Sequence, residues 1–206
     1  MTEILLVRHG ETEWNAAERI QGCSNSDLSI RGRKQAVAVA LRLQRETLTA
    51  VYSSDLTRAV ETAEPLAARH GLATQVLEDL REKSYGSWEG LTSPEIADLY
   101  PDLWHQFHTL RDIATPIPGG ESWPEVQVRV TRALAHILTE HPDDDDRVVI
   151  VGHGGSLRIP ILQALDAPLT SLARLKLDNC GLTIVNFDSR GSQVLLMNDR
   201  SHLQGI

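Results

Sequence analysis

Short apolar runs alternate with stretches of helical periodicity along most of the chain. Strand-like runs fall at residues 3–8, 50–53, 74–77, 147–152, 181–187 and 193–198. Residues 29–46 place Ala36, Val37, Ala40, Leu41 and Leu43 at helical spacing. Residues 55–70 repeat that pattern behind Ser54 and Asp55, both good N-cap types, and Pro65 predicts a kink or break inside it. Ser122-Trp123-Pro124-Glu125 reads as a capping box, with Val126, Val130, Leu134, Ile137 and Leu138 forming the buried stripe of the helix it opens. The acidic run 143–146 reads as a solvated loop, because no spaced ligand pattern surrounds it. Residues 84–121 carry no strand pattern and read as a helical insertion, with one helix opening at Ser93-Pro94. Asp188-Ser189-Arg190-Gly191 predicts a hairpin between the last two strands.

Strands alternating with helices predict an α/β fold: a three-layer sandwich with a mostly parallel central sheet, helices on both faces and a small helical cap insertion at about 84–121. No repeat, low-complexity tract or linker interrupts the pattern, so residues 1–206 read as a single domain.

Composition narrows the classes. At 41% hydrophobic and 23% charged residues, a globular core is expected. No apolar run is long enough for a membrane span, and the N-terminus lacks an export signal, which leaves the cytoplasm as the expected location. A net charge of −8 weighs against nucleic acid. Cys23 and Cys180 are too few for a disulfide scaffold and lack metal-ligand spacing, so both read as free thiols.

In a parallel α/β sheet, ligands bind beyond the carboxyl ends of the strands. Arg8-His9-Gly10 follows the first strand, Ser53-Ser54-Asp55-Leu56-Thr57-Arg58 the second, Leu80-Arg81-Glu82 the third and Gly152-His153-Gly154-Gly155 the fourth. Arginine matches a phosphate bidentately, histidine can attack phosphorus, and glutamate can pass a proton in either direction. Taken singly, each residue reads as a surface charge or a structural histidine. Together at one sheet edge they suit phosphoryl transfer, which depends on positioning and charge neutralisation. Zinc between the two histidines is disfavoured by the arginines beside them.

These segments resemble a known family. LVRHGETEWN, RIQG, SSDLTRAVETA, LREKSYGSWEG and VGHGGSLR, in that order over residues 4–158, are similar to the histidine phosphatase superfamily, also called phosphoglycerate mutase-like. The resemblance implies a catalytic set of His9, Glu82, Arg8, Arg58 and His153. His9 would be the nucleophile that carries a phosphohistidine. Arg8, Arg58 and His153 would hold the phosphoryl oxygens, with Asn15 and the Gly154 N–H adding hydrogen bonds. Glu82 would enter protonated as the general acid and then serve as base for the attacking water. Gln21, Gly22 and Cys23 would contact the rest of the substrate. No metal and no cofactor is implied.

The same resemblance favours the phosphatase branch, since Gly86-Ser87-Trp88-Glu89-Gly90 and a short insertion differ from the usual mutase continuation. Residues 84–121 also hold Arg111 as their one arginine and no lysine, whereas a mutase must grip a bisphosphate. A phosphoglycerate mutase and a non-catalytic phosphate-binding module remain as the other classes. The expected partner is a small-molecule phosphate monoester, with no nucleic acid and no membrane, and a homodimer is left open. Size and polarity favour phosphoserine, with α-ribazole 5′-phosphate as the runner-up and broad specificity as the third reading. Tyr85, His202 in the tail 201–203, and Asn179-Cys180 are candidates for the leaving-group rim, with partial core packing, a disordered terminus and the start of a strand as their respective alternatives. Trp14, Trp88, Trp104, Phe107 and Trp123 could stack on a bulky alcohol, although packing is the default for aromatics. Cys23 in a cationic pocket could ionise readily, or be a passive loop residue.

Overall fold

A computed structural model describes residues 2–188 and 190–206. In chain order it contains β1 (Thr2–Arg8), α1 (Glu13–Ala16), α2 (Ile30–Leu43), β2 (Ala50–Ser53), α3 (Thr57–Arg69) and β3 (Thr74–Val76). The cap follows, with α4 (Ser93–Leu99), α5 (Pro101–Trp104) and one π-helical turn at His105–Thr109. The chain returns to the sheet through α6 (Trp123–Glu140), β4 (Arg147–Gly152), α7 (Arg158–Ala164), β5 (Leu182–Phe187) and β6 (Gln193–Asp199).

The six strands form one sheet in the order β3-β2-β4-β1-β5-β6. β3, β2, β4 and β1 run parallel, and β5 and β6 pair antiparallel at one side. Alternate residues of β1 feed opposite faces, as the period of a strand requires. Ile4 and Leu6 pack with α6 and α7, while Leu5 and Val7 pack with α2 and α3. The result is a three-layer α/β sandwich with a mostly parallel sheet. Trp88, Ile96 and Ile117 form a separate small core in the cap. Of the predicted 188–191 hairpin turn, Ser189 lies outside the described residues.

The strand and helix limits fall close to those predicted, with two corrections. α3 runs unbroken through Pro65. The half-exposed proline is flanked by core residues Ala63, Leu66 and Ala67, whose packing holds the helix across the lost hydrogen bond. Its N-cap is Leu56, not Ser54 or Asp55, because Asp55 is engaged by the Arg81 guanidinium instead.

The segment after β1 is held against α2 at a glycine contact. A Cβ on Gly32 would lie 1.9 Å from the Glu11 carbonyl oxygen, and one on Gly10 would lie 2.5 Å from the Gly32 carbonyl oxygen. Gly32→Ala must therefore push two backbones apart. The expected cost is about 1–3 kcal/mol, a melting temperature lower by roughly 3–10 °C for a chain of this size. A thermal melt coincident with the parent would show that this contact yields freely.

Candidate active site

Four sheet-edge segments converge beyond the carboxyl ends of β1 and β4. His9 lies one residue past β1, and its N–H donates to Gly152 O at 2.9 Å, which extends the β1–β4 ladder. Its carbonyl accepts from Asn179 Nδ2 at 2.9 Å, and Cys180 N–H donates to Arg8 O at 2.9 Å. Gly10 N–H donates to Thr62 Oγ1 at 3.0 Å. The main chain of residues 8–10 is thus fixed from three sides.

The His9 ring is 3% exposed. Nδ1 lies 2.7 Å from Gly10 O, and since a carbonyl only accepts, this bond assigns the proton to Nδ1 and leaves the Nε2 lone pair free. The His153 ring is fully buried, its centroid 5.2 Å from that of His9. Burial, then Arg58 and Arg8, hold the His9 imidazole well below its ordinary range, so the ring is neutral. Burial, Arg58, His9 and Arg8 do the same to His153.

Both arginines use part of their fork on backbone carbonyls. Arg8 donates to Leu177 O at 2.7 Å. Arg58 donates to Ser24 O at 2.8 Å and Gly22 O at 2.6 Å. Burial lowers both from the ordinary arginine value, Arg58 to about 10, so both stay charged at neutral pH. The Nε atoms of Arg8 and Arg58 and both ring nitrogens of His153 are buried without a protein partner. A buried and a half-buried cation flanked by unpaired polar nitrogens match an anion of several oxygens.

Glu82 faces this cluster from the loop after β3. Its Oε2 accepts from Gly155 N–H at 2.7 Å, and its Oε1 from Ser156 N–H at 3.1 Å and Lys83 N–H at 2.9 Å. A Cβ on Gly155 would sit 2.3 Å from Glu82 Oε1 and 2.6 Å from Trp123 Cη2, so the glycine admits both side chains.

The other predicted residues fall around this core. Asn15 caps α1 with Thr12, and its Oδ1 also accepts from Asn179 Nδ2 at 3.2 Å. Gln21 is buried with its Oε1 lacking a protein partner. Gly22 has a φ of 55°, which suits glycine and presents its carbonyl to Arg58. Gly154 lies against Arg8, where a Cβ would be 3.2 Å from Nε. Cys23 donates from Sγ to Glu82 O at 3.3 Å, and burial, then Glu89, push its thiol up to about 11. That supports the passive reading of Cys23. Tyr85 N–H donates to Glu89 Oε1, and burial raises the phenol so that it keeps its proton. The His202 Nε2 meets Cys180 O at 3.0 Å, and the Cys180 N–H in turn donates to Arg8 O.

Four residues that sequence reasoning missed hold the site together. Arg129 of α6 spends all five N–H groups here: on the carbonyls of Asp79, Arg81 and Glu82, and on both Glu121 oxygens. Glu121 accepts from Ser84 N–H at 2.8 Å. Glu89 takes the N–H groups of Cys23 and Ser24 and so ties residues 21–24 to the Glu82 segment. Lys83, just outside the cap range, is fully buried with its ammonium 4.7 Å from the Tyr85 ring centroid. Burial pushes it down to about 8. Lys83 and Glu89 fall within the LREKSYGSWEG segment that carries the resemblance, which assigns them no role; Arg129 has no local signature, and Glu121 stands directly before the Ser122 capping box that the sequence does reveal. Among the described residues, no group of three or more His, Cys, Asp or Glu is placed to hold a metal, and no helix is long and apolar enough to cross a membrane.

The two neutral histidines set an acid limit on stability. Unfolding returns each to the ordinary value of about 6.5. As pH falls below that point, the unfolded chain binds protons that the folded chain refuses, so stability declines. The slope approaches about 1.4 kcal/mol per pH unit for each histidine and vanishes above neutrality. Urea unfolding between pH 7.5 and 5.5 reads it directly, and His153→Asn is expected to shallow it. An identical slope in that variant would remove His153 from the account.

A sequence profile described as the histidine phosphatase superfamily (branch 1) matches residues 4–200. The chain is 40% identical over 209 residues to a metal-independent phosphoserine phosphatase of Arabidopsis thaliana, covering 100% of this chain and 85% of the relative. It is 43% identical over 159 residues to phosphoglycerate mutase-like protein 4 of the same plant, covering 76% and 68%. Among solved structures, a mycobacterial glucosyl-3-phosphoglycerate phosphatase superposes with a TM-score of 0.87 at 30% identity, covering 97% of this chain and 100% of that one.

Proposed function

The chain belongs to the histidine phosphatase superfamily, and from that membership we propose that it hydrolyses phosphoserine through a phosphohistidine on His9. Hydrolysis of a phosphate monoester is the coarser statement and stands with the family and its phosphatase relatives. The observation that carries the finer reading is the neutral, buried His9 with a free Nε2, its ring centroid 5.2 Å from that of His153 and in the field of Arg58 and Arg8, the two arginines that Glu82 also acts on.

In the first displacement, Nε2 forms a bond to phosphorus while the P–O ester bond breaks. Glu82, as general acid, gives a proton to the departing alkoxide. Arg8 and Arg58 balance the charge on the three equatorial oxygens, and neutral His153 can donate one hydrogen bond to them. In the second displacement, Glu82 takes a proton from water as its oxygen attacks phosphorus. The P–N bond breaks, phosphate leaves, and His9 and Glu82 return to their starting states. No metal is needed in this scheme.

Phosphoserine is preferred because it is small and polar, and because the relatives include a phosphoserine phosphatase. The glucosyl-3-phosphoglycerate phosphatase among the solved relatives is named for an ester that likewise carries a carboxylate on the alcohol side. The test is phosphate release, as kcat/KM in the presence of a chelator. The panel is phosphoserine, phosphothreonine, 3-phosphoglycerate, α-ribazole 5′-phosphate and an aryl phosphate. Phosphoserine exceeding the rest by about 10²-fold or more supports the proposal, a discrimination that needs specific polar contacts. A flat panel makes the enzyme broadly specific, and no turnover at all removes the hydrolase reading.

A further inference from the structure

Arg158 opens α7, five residues beyond His153, and its N–H donates to Gly155 O at 3.1 Å. Its guanidinium is poorly matched by the protein. Nη1 makes one long bond to Leu172 O at 3.3 Å, and Nε is buried without a partner. Among the described residues it has no ion pair, unlike Arg129 or Arg147, whose forks are closed by carboxylates. It also adds to the positive field at Arg8, one of the two cations of the phosphoryl site. A second half-buried arginine in the field of the first, making no ion pair among the described residues, requires an explanation beyond packing.

The space beside it supplies one. Arg158 lines a cavity of about 240 Å³ together with Phe107, Trp123, Arg111 and Asp112. Trp123 is the wall shared with the catalytic acid, since its ring edge and the Glu82 carboxylate meet at the same face of Gly155. Glu82 must protonate the alcohol oxygen that leaves, so the alcohol half of the ester lies on the Glu82 side of phosphorus. The cavity that Arg158 lines therefore shares its Trp123 wall with the side of the site that the leaving group occupies.

We propose that Arg158 binds a carboxylate on the leaving alcohol, and that this enzyme selects phosphate esters bearing a second anion a few bonds from phosphorus. The inference rests on the hydrolase reading above and sharpens its substrate class. A guanidinium fork fits a carboxylate with two parallel N–H···O bonds. Trp123 and Phe107 exclude water around that pair and so strengthen it. Asp112 lines the same cavity and offers an acceptor to an ammonium group, which fits an amino acid alcohol. Arg111 from the cap adds a second cation at the rim.

The test compares three esters on the intact chain: phosphoserine, O-phosphoethanolamine, which lacks the carboxylate, and an aryl phosphate. The parent is expected to favour phosphoserine over phosphoethanolamine in kcat/KM by about 10- to 100-fold, the scale of one or two charge-assisted hydrogen bonds. Arg158→Gln should erase that preference, chiefly through KM. Arg158→Lys, which keeps the charge but loses the fork, should retain part of it. Because the readout is a ratio, the aryl phosphate reports folding and phosphoryl transfer separately in each variant. No preference in the parent, or an undiminished one in Arg158→Gln, overturns the subsite while aryl phosphate turnover leaves the hydrolase reading standing. If no ester is hydrolysed by the parent, the underlying reading fails and the subsite falls with it.

Discussion

His9→Ala is expected to lower phosphoserine turnover by about 10⁵-fold or more, the scale on which removing a covalent nucleophile acts. The variant should also fail to form an acid-labile, alkali-stable phosphoprotein on rapid quench. The structure gives the reason in three parts. The Gly10 carbonyl fixes the proton on Nδ1, burial and then Arg58 and Arg8 keep the ring neutral, and the bonds from Asn179 and to Gly152 and Thr62 hold residues 8–10 still. No other imidazole in the cluster has that combination. Neither ring nitrogen of His153 has a partner to fix its tautomer. A phosphoprotein surviving in His9→Ala would transfer the nucleophile to His153.

Glu82→Gln should cost about 10²–10⁴-fold on phosphoserine, the usual worth of a positioned acid–base group, and clearly less on an aryl phosphate whose leaving group needs no proton. Gly155 and Ser156 each aim an N–H at the side chain, one at each carboxylate oxygen. A glutamine has one oxygen to offer them, and its NH₂ meets the other donor head-on. The variant therefore loses orientation as well as acidity. Only the dependence on the leaving group isolates acid catalysis, so equal losses on both esters would count against Glu82 in that role.

Much of this was readable from residue order because the fold places its chemistry at strand ends. The apolar runs of β1 and β4 mark where Arg8-His9 and Gly152-His153 emerge, and the glycines after them signal close approach. What could not be read is the scaffolding between distant segments. Glu89 reaches Cys23 and Ser24 from 66 and 65 residues away, and Arg129 reaches Glu82 from 47. The motif that contains Glu89 does not say what the carboxylate reaches, and an arginine on a helix has no pattern that announces such partners. Pro65 misled for a related reason, since local propensity says nothing of the core residues that keep α3 continuous. The neighbourhood of Cys23 held a similar surprise. Arginines stand nearby, but burial and Glu89 dominate, and the thiol stays a donor to Glu82 O.

The strand order has a consequence for how the enzyme comes into being. β4 lies between β1 and β2 although it is made long after both. A growing chain that has emitted its first 140 residues already carries His9, Arg58 and Glu82, yet β1 and β2 still lack the strand that joins them. The slot closes only when residues 147–152 thread in and bring His153 beside His9. Such long-range parallel pairing is a late and slow event in folding. Until then two apolar strands wait with open edges, the condition that invites chaperones and misassembly. Activity thus appears all at once on completion of the sheet, and a truncated nascent chain has no partial version of it.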